Sequence, residues 1–352
     1  MSAIKLSTEE SIDVHNQFVD ECPVCQSKNR KILHQNMKDY RCAENSVMEY
    51  FFYLCMNCKS GYYNPRPTKD SIHLLYKGYG THAEVEERRD FNSLGWLSRV
   101  KRKIANGYTN KRYTTTDKEY YWFGWLLVHI LINYKSIIDL GFRFIPPPAV
   151  VGKSTLLDFG CGNGGYVKMA SRCGYVAYGI DFDSDAIAGL KSHSDNFYTG
   201  DIFSAKNFNT LFDVITISHV IEHVYDPILH LDILFDLLKP GGFLYIETPN
   251  LNSIGHQYFK KYWRGLEPPR HVQVFNKRSL RELLERAGFE SVKVPTRFNP
   301  VLFICQSSNY VKRGDSTAGH LRIFCEICLI SLVNFFFTDR EEFIYFTARK
   351  PF

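Results

Sequence analysis

The second half of the chain alternates short apolar runs with longer segments in which apolar residues recur at helical spacing. Such runs predict buried strands, and their alternation with helices is typical of a parallel sheet built from βαβ units. The predicted strands are residues 155–159, 177–180, 197–199, 212–218, 243–247, 291–295 and 343–348, and the predicted helices are residues 165–173, 184–193, 227–238 and 277–287. The pattern therefore predicts an α/β domain over residues 151–352.

The first half has a weaker pattern and divides into two parts. Residues 1–67 join a polar start to a turn-rich stretch with paired cysteines, whereas residues 68–150 carry charged and aromatic segments of helical character. The three prolines at 146–148 interrupt any helix and mark a boundary. We predict a small metal-stapled unit over 1–67 and a helical linker region over 68–150.

Two apolar segments, residues 121–134 and 321–337, are candidate interface helices. His129 and Asn133 interrupt the first segment, and Arg322 lies near the start of the second. Neither reaches the roughly 18 consecutive apolar residues that indicate a membrane span. We predict buried or interface helices, and the alternative is a helix that lies on a membrane surface.

Composition and charge narrow the classes of partner. The chain is 45% hydrophobic, which is enough for a sizeable core. The net charge of +6 comes from scattered basic residues, so no nucleic-acid partner is predicted, although an anionic acceptor or membrane surface fits. The start of the sequence shows no secretory signal, and ten cysteines then favour reduced thiols. The expected location is the cytoplasm, at the inner face of the membrane if the apolar helices contact it.

A glycine-rich turn follows the first predicted strand of the α/β domain. Its sequence, residues 156–165, is LLDFGCGNGG, in which Gly160, Gly162 and Gly165 satisfy GxGxxG. Glycines in such a turn let the backbone approach a nucleoside ligand closely, but the pattern alone also fits a dinucleotide-dependent oxidoreductase. Asp158 favours a ligand with an ammonium group, because a carboxylate at the strand end would repel a pyrophosphate.

Two further carboxylates end the second and third predicted strands. Asp181 closes the sequence YGID, where it could accept hydrogen bonds from ribose hydroxyls, and this feature alone would also fit NAD. Asp201, in the sequence TGDI, could accept a hydrogen bond from an adenine amino group. The three carboxylates together predict a nucleoside ligand that also carries a positive charge.

The ordered motifs resemble the class I S-adenosylmethionine-dependent methyltransferases. They are LLDFGCGNG, YGID, TGDI, FDVITISHVIEHV and LKPGGFLYIETPN, within residues 155–295. The resemblance implies a Rossmann-like fold of seven strands, the last one antiparallel, and S-adenosylmethionine as cofactor. The implied cofactor contacts are Asp158, Gly160 and Gly162 around the methionine, Asp181 at the ribose, Asp201 and Ile202 at the adenine, and His219 nearest the cofactor.

Two CxxC pairs lie in the first 60 residues. They are formed by Cys22 with Cys25 and by Cys55 with Cys58. Four thiolates complete a tetrahedral zinc site and leave no open position, so the predicted Zn²⁺ is structural. The segment resembles the zinc-binding module of bacterial methyltransferases that act on sugars and surface polysaccharides.

That second resemblance implies an acceptor site beside the zinc ribbon. Relatives of this kind usually place glycine after each second cysteine, where this chain has Gln26 and Lys59. The departure weakens the turn chemistry without removing a ligand. Tyr76 and Tyr79 become candidate acceptor contacts, with packing under the linker helices as the alternative.

Methyl transfer usually needs a base, and two places offer one. Glu222 and His223 resemble the Glu-His pair of quinone-pathway O-methyltransferases, where they could serve proton transfer or hold a metal. His271 lies where related sugar C-methyltransferases carry a base, but Arg270 replaces their glutamate, so the carboxylate partner of His271 is missing. Arg270 itself could clamp a phosphate.

The sequence thus predicts a methyltransferase that acts on a small molecule. The preferred acceptor is a nucleotide- or lipid-linked sugar of a surface-glycan or natural-product pathway. One alternative is O-methylation of a quinone-like or lipid acceptor. From another class, a non-catalytic zinc-ribbon adaptor with a degenerate methyltransferase fold remains open.

Overall fold

The amino-terminal part is built from short antiparallel strands. The computed structural model describes residues 14–39, 49–76, 91–191, 194, 196–295, 301–313, 330 and 339–352. The strands are β1 (Asn16–Gln17), β2 (Arg30–Met37), β3 (Tyr50–Cys55), β4 (Gly61–Tyr63) and β5 (Arg66–Pro67). Strands β2, β3 and β4 pair side by side, and β1 pairs with β5. Sequence periodicity did not predict these strands, because they are short and broken by register shifts.

Among its described residues, the linker region contains three α-helices, in agreement with its composition. They are α1 (Trp96–Tyr113), α2 (Gly124–Ile130) and α3 (Ile132–Gly141). Helices α1 and α2 approach each other through glycines. A Cβ atom on Gly107 would lie 2.0 Å from the Tyr121 carbonyl oxygen, and one on Gly124 would lie 2.4 Å from that of Ile104. Only glycine fits at this crossing without moving the backbone.

The α/β domain has the predicted Rossmann-like architecture. Its sheet contains seven strands in the order β12-β13-β10-β9-β6-β7-β8, and β13 runs antiparallel to its neighbours β10 and β12. The elements in chain order are β6 (Thr155–Phe159), α4 (Gly165–Arg172), β7 (Val176–Asp181), α5 (Ser184–Lys191), β8 (Phe197–Thr199), α6 (Ile202–Ala205), β9 (Phe212–Ser218), α7 (Pro227–Leu237), β10 (Leu238–Pro249), α8 (Ile254–Phe259), β11 (Gln273–Val274), α9 (Lys277–Arg286), β12 (Glu290–Lys293), α10 (Val301–Arg313) and β13 (Phe343–Arg349). The predicted strand and helix positions are confirmed, with small shifts at their ends.

The two faces of this sheet are covered by different parts of the chain. Leu156 and Leu157 are consecutive in β6, so their side chains point to opposite faces. Leu157 belongs to a core cluster that includes the cysteine-rich unit, whereas Leu156 packs in a cluster with residues of the linker helices. The amino-terminal half therefore encloses the sheet instead of forming a separate body.

The segment between β10 and α9 joins the amino-terminal sheet to the α/β domain. Strand β11 pairs with β4 and extends the amino-terminal sheet to four strands. The Arg270 guanidinium, 1% exposed, pairs with Asp39 at 2.9 Å and donates to the Leu75 carbonyl oxygen at 3.0 Å. These contacts fix the amino-terminal unit against the α/β domain, and the division at residues 67 and 150 remains a prediction.

The first of the two apolar segments lies within the described residues, whereas most of the second lies outside them. Of residues 121–134, positions 124–130 form α2 and positions 132–134 begin α3. Of the segment 321–337, only Ile330 belongs to the described residues, where it is buried. None of the described helices combines the length and apolar character that a membrane span requires.

Candidate active site

The glycine-rich turn between β6 and α4 has the geometry that its sequence predicted. Gly160 and Gly162 have φ angles of 78° and 50°, which side chains with a Cβ atom rarely adopt. No heavy atom lies within 4 Å of a Cβ placed on Gly162, and both glycines line a cavity. The turn therefore leaves backbone exposed where a ligand can approach it closely.

The cavity has a volume of about 700 Å³ and follows the carboxyl ends of the parallel strands. This is the edge of an open α/β sheet at which ligands bind. One wall of the cavity consists of residues that follow β6, β7, β8 and β9. The predicted cofactor residues on this wall are Gly160, Gly162, Asp181, Asp201, Ile202 and His219.

Backbone amides hold the two rim carboxylates in place. Asp181 accepts from the Gly162 amide at 2.8 Å and from the Asp183 amide at 3.1 Å, so the strand end is tied to the glycine turn. Asp201 caps α6 by accepting from the Phe203 and Ser204 amides, both at 3.0 Å. Burial acts to raise the pKa of Asp201, but these hydrogen bonds outweigh it and lower the pKa. Both carboxylates are fixed acceptors at the cavity.

Asp158 lies behind the cavity wall instead of lining it. It is 1% exposed, accepts from Thr216 Oγ1 at 2.8 Å and forms an ion pair with Arg143. Burial raises the pKa of Asp158 although Arg143 opposes the shift. Its second oxygen, Oδ2, is buried without a hydrogen-bond partner among the described residues.

Sequence reasoning missed Arg143, the ion-pair partner of Asp158. Its guanidinium donates to Thr216 Oγ1 at 2.8 Å and stacks 3.7 Å above the centre of the Tyr166 ring. It lies two residues after the end of α3, and its φ angle of 49° turns the chain toward the proline run. An arginine between a predicted helix and a strong breaker was the available signal.

His219 lies between two carboxylates at the centre of the site. Its Nδ1 is 3.2 Å from Glu222 Oε1, and its Nε2 is 3.4 Å from Glu247 Oε1. Burial lowers the pKa of His219, but the two carboxylates outweigh burial and raise it. Burial acts to raise the pKa of Glu222, but His219 and the other nearby histidines outweigh burial and lower this pKa to about 2. The three groups form a charged cluster of one imidazolium and two carboxylates.

His223 and His271 lie next to each other on the opposite wall of the cavity. Their rings are 4.7 Å apart and nearly perpendicular. His223 Nδ1 lies 3.0 Å from the Arg270 carbonyl oxygen and 2.9 Å from Tyr76 Oη, so Tyr76 is placed at the candidate base. Its predicted companion Tyr79 lies outside the described residues. The nearest donor atoms of Glu222, His223 and His271 lie within 4.8 Å of one another, close enough for a shared metal ion.

A carboxylate that was not expected from the sequence lies beside His271. Its Nδ1 lies 2.8 Å from the Gly265 carbonyl oxygen, which can only accept, so Nδ1 carries the proton. The Nε2 atom therefore carries a lone pair, and it lies 3.4 Å from Glu267 Oε2. Burial and the neighbouring His223 lower the pKa of His271 to about 4. The expectation of a missing partner is wrong, because the carboxylate comes from four residues earlier.

Arg270 does not lie in the cavity, where the predicted role as a phosphate clamp would place it. Its guanidinium is buried in the ion pair with Asp39 described above, so it is committed to holding the two sheets together. The lysine and arginine side chains that line the cavity are those of Lys69 and Arg264. Arg264 also contacts Glu267, the partner of His271.

The four cysteines of the CxxC pairs come together in space. All four Sγ atoms lie within 4.8 Å of one another, with Cys22 and Cys58 3.7 Å apart and Cys25 and Cys55 3.5 Å apart. Zinc–sulfur bonds of about 2.3 Å in a tetrahedron place sulfurs roughly 3.8 Å apart. The donor set therefore fits Zn²⁺.

The residue directly after the second cysteine of each CxxC pair has a left-handed backbone conformation. Gln26 and Lys59 each have a φ angle of 60°, and their amides bond the carbonyl oxygens of Cys22 and Cys55 at 2.8 and 3.1 Å. Left-handed backbone costs an ordinary residue about 1 kcal/mol.

Replacing Gln26 or Lys59 with glycine is expected to stabilise the protein. Each change removes the left-handed strain of about 1 kcal/mol, partly offset by the greater freedom of glycine in the unfolded chain. We expect a net gain of roughly 0.5 kcal/mol per site. Denaturant unfolding of zinc-loaded protein measures it, with Lys28→Gly as a control, since Lys28 is not among the residues with positive φ. Equal effects at all three positions would contradict the strain argument.

Comparison with known proteins agrees with this geometry. Residues 135–294 match the family model of a methyltransferase domain. A ubiquinone biosynthesis O-methyltransferase of Saccharophagus degradans is 28% identical over 192 residues, which are 48% of this chain and 79% of that protein. The protein of the same name from Coxiella burnetii is 31% identical over 122 residues, 33% of this chain and 52% of that protein. A solved S-adenosylmethionine-dependent methyltransferase from Archaeoglobus fulgidus is 21% identical and covers 63% of this chain and 99% of its own, with a TM-score of 0.41.

The class of the protein follows from the domain match, the sheet order and the glycine turn. Residues 135–294 match a methyltransferase domain, whose sheet is completed by β13, and the protein is an S-adenosylmethionine-dependent methyltransferase. This result confirms the predicted enzyme class over the oxidoreductase, and the intact turn and cavity favour an enzyme over the adaptor.

Proposed function

We propose that the enzyme methylates a small-molecule acceptor that is held between the cofactor and His271. The single observation that carries the proposal is the shared cavity. Its first wall presents the glycine turn, and its second wall presents His271 and Glu267. A base and a cofactor site that open into one space can bring a nucleophile and a methyl donor together.

The proposed cofactor contacts follow the first wall. The backbone at Gly160 and Gly162 would lie along the methionine part, and Asp181 would accept from the ribose hydroxyls. Asp201 and Ile202 would flank the adenine. By the resemblance Asp158 would face the ammonium group, although it is paired with Arg143 and lies behind the cavity wall.

Replacing Asp181 with alanine is expected to weaken binding of S-adenosylhomocysteine at least tenfold. The loss corresponds to about 1.4 kcal/mol, because two hydrogen bonds from ribose to a charged acceptor disappear. Titration calorimetry measures the affinity, and a thermal melt checks the glycine turn, which Asp181 also supports. Unchanged affinity in a folded variant would remove Asp181 from the cofactor site.

We propose that His271 accepts the proton of the acceptor. The bound cofactor supplies an electrophilic methyl group. The lowered pKa keeps Nε2 of His271 unprotonated at neutral pH, so it can take the proton as the acceptor attacks. Glu267 lies 3.4 Å from that nitrogen and would stabilise the imidazolium that forms. His223 and Glu222 are the second candidates for this role.

We propose that the four-cysteine cluster holds a structural zinc ion, as in a zinc ribbon. The sulfur spacing supports this assignment. The thiolate is the form that binds zinc, and the hydrogen bond between Cys22 and Cys58 lowers the pKa of Cys58 while it raises that of Cys22. The Asn276 side chain, which caps α9, also donates to the Cys58 carbonyl oxygen at 3.0 Å. The zinc unit would thus help to hold the second wall.

For the acceptor, we propose a nucleotide- or lipid-linked sugar. Lys69, His73 and Arg264 on the cavity wall suit a phosphorylated molecule, and Tyr76 and Tyr225 offer ring faces. The resemblance of the cysteine-rich unit to sugar methyltransferase modules supports the same class. The pathway would be one of surface-glycan or natural-product synthesis.

The relatives favour a second candidate, O-methylation of a quinone-like or lipid acceptor. They are named ubiquinone biosynthesis O-methyltransferases, and Ile72, Ile304 and Phe343 give the cavity apolar lining. Under this alternative, Glu222, His223 and His271 would hold a divalent metal ion. Methyl transfer would then need an added divalent metal ion beyond zinc. Glu222→Gln would abolish the activity that this metal ion supports.

The test begins with calorimetric titration of zinc-loaded protein with S-adenosylhomocysteine. Micromolar binding is expected, followed by transfer of labelled methyl groups to sugar nucleotides or lipid-linked sugars. Transfer only to catechol-like quinone precursors, dependent on added metal, would select the second candidate. Absence of binding by folded protein would contradict the proposed cofactor site.

A further inference from the structure

The outer face of α2 exposes large apolar side chains to solvent. Leu126 and Ile130 lie four residues apart in α2 and are 62% and 67% exposed, and Trp122, 81% exposed, lies in the turn just before the helix. Residues at this spacing share one side of a helix. Val128, on the opposite side, is fully buried in the core, so the exposed side is an unpartnered face. We call Trp122, Leu126, Ile130 and the adjoining Leu131 the α2 face.

The helix packed against α2 is strongly basic. Helix α1 carries Lys and Arg at six positions and has no acidic residue; the six are Arg99, Lys101, Arg102, Lys103, Lys111 and Arg112. Basic side chains reach the flank of α2 directly, because the Lys111 ammonium lies 4.6 Å from the centre of the Trp125 ring. The apolar face is therefore bordered by positive charge.

Nearby carboxylates cancel only part of this charge, since positions 91–141 hold eight lysines and arginines but three acidic residues. Asp117 pairs with Arg172, Glu119 with Lys103 and Asp139 with Lys135, and these are all the acidic residues between positions 91 and 141. Asp139 is also buried under Tyr108 and Tyr113. The region keeps a net positive charge beside its apolar surface.

An anionic lipid surface complements both properties. Tryptophan and leucine side chains enter the boundary between headgroups and acyl chains, while lysine and arginine gain from anionic headgroups. A second copy of the chain fits less well, because a symmetric contact through this face would bring the basic α1 of each copy toward the other. We propose that the α2 face, with the basic α1 beside it, docks the enzyme on an anionic lipid surface.

The proposal is tested by flotation of zinc-loaded, full-length protein with vesicles. We expect binding to vesicles of phosphatidylcholine with 30% phosphatidylglycerol, little binding to pure phosphatidylcholine, and weakening of the binding by salt. The double variant Leu126→Ser/Ile130→Ser is expected to lower the partition coefficient at least tenfold. Phe18→Ser is the matched control, since Phe18 is 83% exposed but lies in the amino-terminal unit.

Every outcome decides for or against the α2 face. Absence of vesicle binding, or equal binding by the double variant and the wild type, would overturn the proposal. A wild-type dimer that the double variant converts to monomer, measured by light scattering, would show instead that the face joins two copies. Binding of S-adenosylhomocysteine is expected to be unchanged in both variants. Failure here therefore leaves the proposed methyl transfer untouched, and loss of cofactor binding would reveal a folding defect.

Discussion

His271→Asn is expected to lower kcat by about 10²- to 10⁴-fold while binding of S-adenosylhomocysteine stays within twofold. General-base catalysis contributes rate factors of this size. The asparagine amide can still donate to the Gly265 carbonyl oxygen, as His271 Nδ1 does, so the variant removes only the Nε2 lone pair. Single-turnover methyl transfer to the identified acceptor measures the effect.

The matched variants separate the two candidate bases. His223→Asn keeps the donor to the Arg270 carbonyl oxygen in the same way and is expected to cost much less. Glu267→Gln is expected to give an intermediate loss, because the amide is neutral and no longer stabilises the imidazolium. If His223→Asn were the more damaging change, the roles of the two histidines would be exchanged.

The pH profile gives an independent check on His271. The ordinary histidine pKa is 6.5, and burial lowers that of His271 to about 4. A lowered pKa leaves the base form in place above that value and removes it only as pH falls through about 4. We therefore expect kcat/KM to show no acidic limb between pH 5 and 7. A limb centred near pH 6.5 that vanishes in His271→Asn would contradict this assignment.

Cys22→Ser is expected to abolish stoichiometric zinc and to lower the melting temperature by about 10 °C or more. Structural zinc sites contribute folding free energy directly, and roughly 4 kcal/mol corresponds to a shift of that size in a domain of this length. The loss should extend beyond the cysteine-rich unit, because Cys22, Cys55 and Cys58 share a core cluster with the central sheet. Metal analysis and calorimetry measure both effects.

A cysteine outside the cluster is the control for this prediction. Cys173 is buried beside Met169 at the end of α4, far from the zinc unit in sequence, and Cys173→Ala should retain full zinc. Zinc retained by Cys22→Ser, or a melting temperature unaffected by chelation of the wild type, would contradict the four-thiolate site.

The α/β domain could be predicted from the sequence because its signals are local. A buried strand such as β6 is one apolar run, and the turn after it is marked by glycines with positive φ. The amino-terminal strands had no such signal. Strand β4 is three residues long and gains its partner β11 from a part of the chain more than 200 residues away. Periodicity contains no information about a pairing of that kind.

The candidate site shows the same division between local and long-range signals. The residues of the glycine turn and the strand ends were identifiable because motif and strand position fix them. Glu267 was missed, because the partner of His271 was sought at the adjacent position, where Arg270 stands. The chain places the carboxylate one helical turn earlier, and Arg270 is used against Asp39 instead. Ion-pair partners depend on the folded path of the chain.

The pairing of β4 with β11 has a consequence for the construction of chimeric enzymes. Exchange of residues 1–67 alone for the corresponding unit of another methyltransferase would leave the β11 edge with a mismatched neighbour. It would also remove Asp39 and leave the Arg270 guanidinium buried without its counter-charge, a defect that costs about 3–5 kcal/mol. The smallest transplantable piece is therefore discontinuous, because it must include the loop and strand at 264–276 together with the amino-terminal unit. We expect that such a transplant transfers the acceptor preference together with the cysteine-rich unit.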